Sequence, residues 1–168
     1  FLEAERRFKP YQLSEAEEKI LLEKSVTGNS AWTRFFDQSF SAMRFDYEGE
    51  QLNLEQVLTK LHERDRETRK KAHASLTAGL KAHALELTYI FNVLLADKAS
   101  DDRLRGFDTW VSSRNLDNKV SDEVVEALIE AVTSRYDLVA RHYRLKRALL
   151  GLDALYDYDR YAPLGEGE

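Results

Sequence analysis

Cysteine is absent from the 168 residues. That excludes disulfides and every metal site built on thiolates. There are only two prolines, Pro10 and Pro163, and both lie near the ends, so nothing in the interior forces a helix to break. The seven glycines are isolated or sit in the tail, and no Gly-rich loop of the kind that cradles phosphate is present. A GxSxG nucleophile turn is also missing. No apolar run approaches the roughly 18 residues of a membrane span. There is no basic stripe: the formal net charge is −5, which argues against nucleic acid or an anionic membrane as partner. No signal peptide is visible, and a cytoplasmic location is expected. The repeated KAHA at 71–74 and 81–84 recurs after ten residues, which is no repeat-protein period.

What is present reads as a helical protein. Hydrophobic residues make up 43% and charged residues 33%, an ordinary balance for a domain with a real core. Ser14 with Glu17 is a capping box that opens a helix over about 15–27, stopped by Gly28. Asn29 or Ser30 then caps a helix whose Trp32, Phe35, Phe36, Phe40 and Met43 share one face and are expected in the core. Residues 44–53 carry a hairpin signal around Glu48-Gly49-Glu50. Asn53 caps a short helix over 54–62. Asp65 opens the longest predicted element, 66–98, roughly 50 Å if unbroken. From Ala84 to Ala96 it is nearly apolar all round, the signature of a buried helix. A short helix follows near 109–116. Ser121 caps a final long helix over 122–150 with an apolar stripe through Val125, Ile129, Val132, Tyr136, Val139 and Tyr143. Its acids lie near the start and its bases near the end, which complements the helix dipole.

Candidate chemistry is sparse. His62-Glu63 begins an HExxH pattern, but the fifth position is Arg66, a cation that cannot ligate zinc. His73 and His83 stand about 15 Å apart along a helix, and His142 is flanked by Arg141 and Arg144. His83 reads as a hydrogen-bonded packing residue. No histidine pair has ligand spacing, so no metal site and no catalytic residue are expected within the chain. Lys146, inside the final stripe, reads as a snorkelling side chain in preference to one paired with a buried carboxylate. The run Tyr156-Asp157-Tyr158-Asp159-Arg160-Tyr161 reads first as alternating faces of an extended segment. It also supplies the chain's substrate-binding candidates, Asp159, Arg160 and Tyr161. From the residues alone this is a soluble helical domain without its own chemistry.

Four stretches, taken in order, resemble one family. They are YQLSEAEEKILLEKSVTGNSAW (11–32), DRETRKKAHASL (65–76), FNVLLADKASDDRLRGFDTWVSSRNLDNKVSDEVVEALIEAV (91–132) and RHYRLKRALLGLDALYDYDRYAPL (141–164). Together they resemble oligoendopeptidase F and its relatives in the thimet oligopeptidase and neurolysin class of zinc peptidases. The resemblance implies a mostly all-α fold: long antiparallel helices in a bundle with one short β-hairpin, part of a neurolysin-like ellipsoid with a deep channel for short peptides. It implies a zinc-dependent peptidase as the parent protein, with the HExxH helix following the YDRYAPL-like segment. The chain starts at Phe1 and stops at Glu168, and both ends read as cut points. Residues 1–168 are then expected to be one helical domain or a fragment of that peptidase, lacking the zinc ligands and inactive alone. Residues 145–168 are the junction toward the catalytic core. Short peptides are the implied partners of the parent, and self-association of the fragment is possible on this reading. The competing expectation is a non-enzymatic helical interaction or scaffold domain, self-contained and without a large exposed apolar patch.

Overall fold

The computed structural model describes residues 6–165. In chain order it contains a 3₁₀ turn at Lys9–Tyr11, α1 (Glu15–Ser25), α2 (Asn29–Ala42), β1 (Phe45–Tyr47), β2 (Glu50–Leu52), α3 (Leu54–Lys60), α4 (Arg66–Ala82), α5 (Ala84–Arg105), α6 (Ser112–Asp117), α7 (Asp122–Thr133), α8 (Tyr136–Leu149) and a 3₁₀ turn at Asp157–Asp159. The fold is mostly α, with one antiparallel two-stranded hairpin among the described residues. The chain divides into two compact units, residues 1–36 with 88–134, and residues 37–87 with 135–168.

Local chemistry starts the helices where the sequence predicts. The Ser14 N–H donates to Glu17 Oε2 at 2.9 Å, and the Glu17 N–H donates to Ser14 Oγ. Asn53 and Gln56 form the same reciprocal box, each bond 2.9 Å. Asp65 accepts from the Thr68 N–H at 2.8 Å. Each cap satisfies amide donors that the first helical turn leaves open.

The second unit holds a compact apolar core. Met43, Phe45, Tyr47, Val57, Leu61 and Ala72 are buried, and Phe40, Leu52, Leu54, Leu76, Leu80 and Leu87 pack around them. The hairpin supplies its centre. Its register pairs Phe45 with Leu52 and Tyr47 with Glu50, which sends Phe45 and Tyr47 inward and Asp46 outward. Glu48 (φ 54°) and Gly49 (φ 89°) both occupy the left-handed region, as a two-residue hairpin turn of this hand requires. Lys71 on α4 pairs with Glu48 and ties the turn to that helix. Gly79 of α4 lies directly under the Phe45 ring: a Cβ there would stand 2.4 Å from Cδ1.

The first unit is held largely by polar clamps. Arg105, at the end of α5, grips Glu18 of α1 through two bonds of 2.7 and 3.0 Å and Asp101 at 2.9 Å. The hydrogen bonds from Arg105 hold the Glu18 carboxyl at about 2. Gly106 (φ 77°) ends α5, and Phe107 beyond it stacks on Tyr11 with centroids 4.1 Å apart. Lys98 donates to Asp102 at 2.6 Å and to Ser113 at 3.0 Å, joining α5 to α6. Asn115 donates to Asp122 at 2.7 Å, joining α6 to α7.

Three expectations need correction. The helix predicted over 66–98 is two helices with a break at His83 (φ −100°, ψ 7°), and the second runs on to Arg105. The His83 N–H turns to Leu80 and Lys81 carbonyls, a tightened last turn that no Gly or Pro announces. The helix predicted over 122–150 is likewise two, with Arg135 (φ −116°, ψ 20°) between them. The third concerns burial. Leu85 (86% exposed), Tyr89, Phe91 (61%) and Leu95 of α5 lie open, as do Phe35 and Phe36 of the expected aromatic core. Trp32 instead meets Tyr89 edge to face at 5.4 Å. Composition reports which faces can be buried; packing partners decide which are.

Replacing Gly79 with Ala tests the core. The helix gains up to about 1 kcal/mol from propensity, but forcing Cβ into Phe45 costs about 1–3 kcal/mol. A lower urea midpoint is expected for G79A, with partial recovery in the G79A/F45L double variant. An unchanged or raised midpoint would show that Phe45 does not depend on this close approach.

Candidate functional site

The Tyr- and Asp-rich run after α8 folds back onto the start of α4. Its 3₁₀ turn buries Asp159 completely. A carboxylate taken out of water must be paired and hydrogen-bonded or it will not stay charged. Asp159 is met by two arginines one helical turn apart on α4. Arg66 reaches it with Nε to Oδ1 at 3.1 Å and Nη2 to Oδ2 at 2.9 Å, a two-pronged grip. Arg69 adds Nη2 to Oδ1 at 2.9 Å. The Tyr156 N–H donates to Oδ2 at 3.1 Å. Burial alone would raise the Asp159 pKa; the bonds from Arg66, the Tyr156 amide and Arg69 outweigh it and hold the carboxyl at about 2.

Arg69 is itself only 3% exposed. Its remaining N–H groups donate to the carbonyls of Tyr158 (3.1 Å), Glu63 (2.8 Å) and Arg64 (2.7 Å). It therefore fastens two backbone segments, 63–64 and the turn at Tyr158, as well as one carboxylate. Lys146 of α8 completes the cluster. It is 7% exposed and donates to the Arg160 carbonyl at 2.7 Å. Burial first, and then repulsion from Arg69, lower its pKa, with Asp159 partly opposing. The expected snorkelling is corrected here: Lys146 points inward, because a carbonyl waits there and a carboxylate lies near.

Around this charged centre the aromatics are ordered. Tyr156 and Tyr158 stack at 5.3 Å with 9° between planes, and the Arg66 guanidinium lies 5.7 and 5.5 Å from their ring centroids. Tyr161 stacks on His62 at 4.5 Å. His73 Nε2 meets Asp157 Oδ2 at 2.8 Å. His83 pairs with Glu86 through Nδ1 at 3.2 Å, the hydrogen-bonded role expected of it.

The three substrate-binding candidates thus divide. Asp159 is buried inside an ion cluster. Arg160 and Tyr161 are exposed neighbours, with the Arg160 guanidinium 4.5 Å from the Tyr161 ring centroid. Arg160 also lines an open cleft of about 610 Å³ between α8 and residues 153–157, together with Tyr143, Arg144, Arg147 and Tyr156. Sequence reading missed Arg66 and Arg69 as partners of Asp159. The only local signal was their i, i+3 spacing directly after the Asp65 cap; the carboxylate they serve is 93 and 90 residues away.

Could this region hold a metal? Among the described residues no three His, Asp or Glu side chains come together as a ligand group. His73 with Asp157 and His83 with Glu86 are pairs, and zinc needs at least three protein ligands. The described residues do not fit a zinc site.

Comparison with known proteins places the chain. A family model described as oligopeptidase F matches residues 1–45. The group B oligopeptidase PepB of Streptococcus agalactiae is 26% identical over 165 residues, covering 94% of this chain and 27% of that protein. Along nearly its whole length the chain is similar to bacterial oligopeptidases. The oligopeptidase PepF of Bacillus subtilis is 27% identical over 166 residues, covering 93% of this chain and 24% of that protein. An oligoendopeptidase-F crystal structure from Enterococcus faecium superposes with a TM-score of 0.86 at 18% identity, covering 97% of this chain and 33% of that one. The chain therefore spans about a quarter of the length of the curated relatives it matches. Among the described residues, no helix is long and apolar enough to cross a membrane.

Asp159→Asn keeps the shape and removes the charge. Breaking a buried pair on one side costs about 3–5 kcal/mol, and loss toward the lower end is expected because the amide oxygen still accepts. The wild-type pKa lies below its unfolded value. The stabilisation is therefore complete above about pH 4 and drains away as pH falls toward 2, on the order of 2 kcal/mol in all. Urea unfolding of both proteins across pH 2–6 should show a stability gap that closes in acid. A gap independent of pH would refute the charge pairing.

Proposed function

We propose that this chain is part of the helical wall of a peptide channel in a zinc-dependent oligoendopeptidase acting on short peptides in the cytoplasm. The observation that carries the reading is the match to two bacterial oligopeptidases along more than nine-tenths of the chain. On this reading the zinc ligands and the general base belong to an HExxH helix in residues other than these, and residues 145–168 lead toward that helix. The zinc, when bound there, supplies the Lewis acid that activates water. This chain's own residues supply shape and placement.

The Asp159 cluster suits that task. It is a positioning device: it fixes the lead segment against α4 through charge-assisted bonds that leave little freedom. Arg160 and Tyr161, next in sequence and exposed, are the residues we assign to the peptide side. The open apolar side chains support a larger body. Val124, Leu128, Ile129 and Val132 of α7 and Leu138, Leu145 and Leu149 of α8 are all exposed. A self-contained scaffold domain would bury such stripes, so the competing interaction-domain reading is disfavoured.

Two measurements test the proposal. The intact reading frame should carry HExxH downstream of Glu168, and its product should cleave short peptides but leave folded proteins intact. The 168-residue chain alone, dialysed against zinc, should show neither peptide hydrolysis nor one tightly held metal per chain. Hydrolysis by the isolated chain, or a reading frame without the motif, would sink the assignment.

A further inference from the structure

The cleft beside Arg160 has a composition unlike the rest of this acidic chain. Arg144 and Arg147 lie on α8 three residues apart, so their side chains are neighbours on one face, and Arg160 enters from the segment after the 3₁₀ turn. All three are exposed, and each lines the same space of about 610 Å³. Neither Arg144 nor Arg147 has an ion-pair or hydrogen-bond partner for its guanidinium among the described residues. The two acids lining the cleft do not neutralise them. Asp157 is engaged by His73 at 2.8 Å, and Asp153 forms no ion pair among the described residues. Helix-dipole complementarity accounts for Arg147, which lies in the last turn of α8, but not for Arg144, which precedes that turn. Three guanidinium groups thus share a cleft in a chain whose formal net charge is −5.

We propose that this cleft binds the carboxylate of a short peptide, with Arg144 and Arg147 as the anion-holding pair and Tyr143 and Tyr156 as the walls for the adjoining side chains. A planar guanidinium matches a carboxylate in two-pronged geometry. Tyrosine faces present apolar area with a polar rim, suited to peptide side chains of mixed character. Asp153 and Asp157 make the cleft hostile to a polyanion such as nucleic acid, and Asp153, which has no ion pair among the described residues, is available to accept from a peptide N–H group. A ligand carrying one carboxylate, amide donors and side chains matches all of these features together. The inference rests on the peptidase reading and deepens it: the site would hold one end or one acidic residue of the peptide that the channel admits.

The test uses the 168-residue chain and three probes followed by calorimetry or amide NMR shifts. They are acetyl-penta-alanine with a free C-terminus, the same peptide as its C-terminal amide, and an amidated acetyl-peptide with one internal Glu. Binding of the free acid, weakened about tenfold or more on amidation, is expected from loss of a charge-assisted pair, and it assigns the terminal carboxylate. Binding of the Glu peptide in place of the free acid assigns an acidic side chain. In either case the double variant R144Q/R147Q should lose the same affinity while keeping its far-UV circular dichroism, and R144K/R147K should recover only part of it. Equal binding of acid and amide forms, no effect of R144Q/R147Q, or no binding of any probe would overturn the site. If the intact parent cleaves peptides while these probes fail, only the site is lost. If the probes bind but the parent does not cleave, the site stands and the peptidase reading falls.

Discussion

The organisation of residues 37–87 with 135–168 depends on one carboxylate. Asp159 has no exposure to solvent, and two arginines and a backbone amide hold it charged. Remove that charge and Arg69, buried with three carbonyls, is left as a cation without an anion. The Tyr156–Tyr158 stack, the Lys146 bond to Arg160 and the path of the chain past Tyr161 all assume that Asp159 sits where it does. A buried ion pair of this kind rarely adds much stability over an apolar replacement, but it tolerates few alternative geometries. It selects one arrangement of α4, α8 and the segment after it.

The apolar core of the same unit works by a different rule. Phe45 is fully buried because the ring has a glycine, not a side chain, beneath it on α4. The hairpin delivers that ring: two residues with positive φ set the turn, the turn sets the register, and the register sends Phe45 and Tyr47 to the same face. Shape complementarity thus fixes the hairpin on α4 from one side, and Lys71 with Glu48 fixes its tip from the other.

How much of this was legible in the sequence follows from the range of each interaction. Ser14 with Glu17, Asn53 with Gln56 and Asp65 with Thr68 act across three residues, and all three caps were readable. The hairpin was readable because Gly49 marks a turn. The breaks at His83 and Arg135 were not, since neither position carries Gly or Pro and the apolar stripe runs through both. The exposure of Phe91 and Leu85 was hidden for another reason: a helix that is apolar all round announces that it can be buried, while the neighbours that bury it lie elsewhere. The site was the least legible part. Arg66 looked only like the residue that spoils HExxH, Arg69 carried no reading of its own, and Lys146 looked like a snorkelling side chain. Arg66 and Arg69 acquire their role from Asp159, 93 and 90 residues along the chain, and Lys146 acquires its role from Arg160, beyond the end of its own helix; helical periodicity reaches neither. The resemblance of the 141–164 stretch marked the segment that carries Asp159, though only by its position in the chain.

The separation between Arg69 and Asp159 has a consequence for how the protein forms. These residues are 90 apart, and the unit they join is built from two stretches of chain with residues 88–134 between them. During synthesis α4 leaves the ribosome long before the DYD turn exists. Until then the Arg69 guanidinium has no anion, and the favourable course is for it to remain in water with the start of α4 frayed around it. The hairpin and its apolar partners, all within residues 40–87, can assemble early through short-range contacts, whereas the charge cluster must await closure of a long loop. The sequence separations therefore favour assembly of the apolar half before the ionic lock.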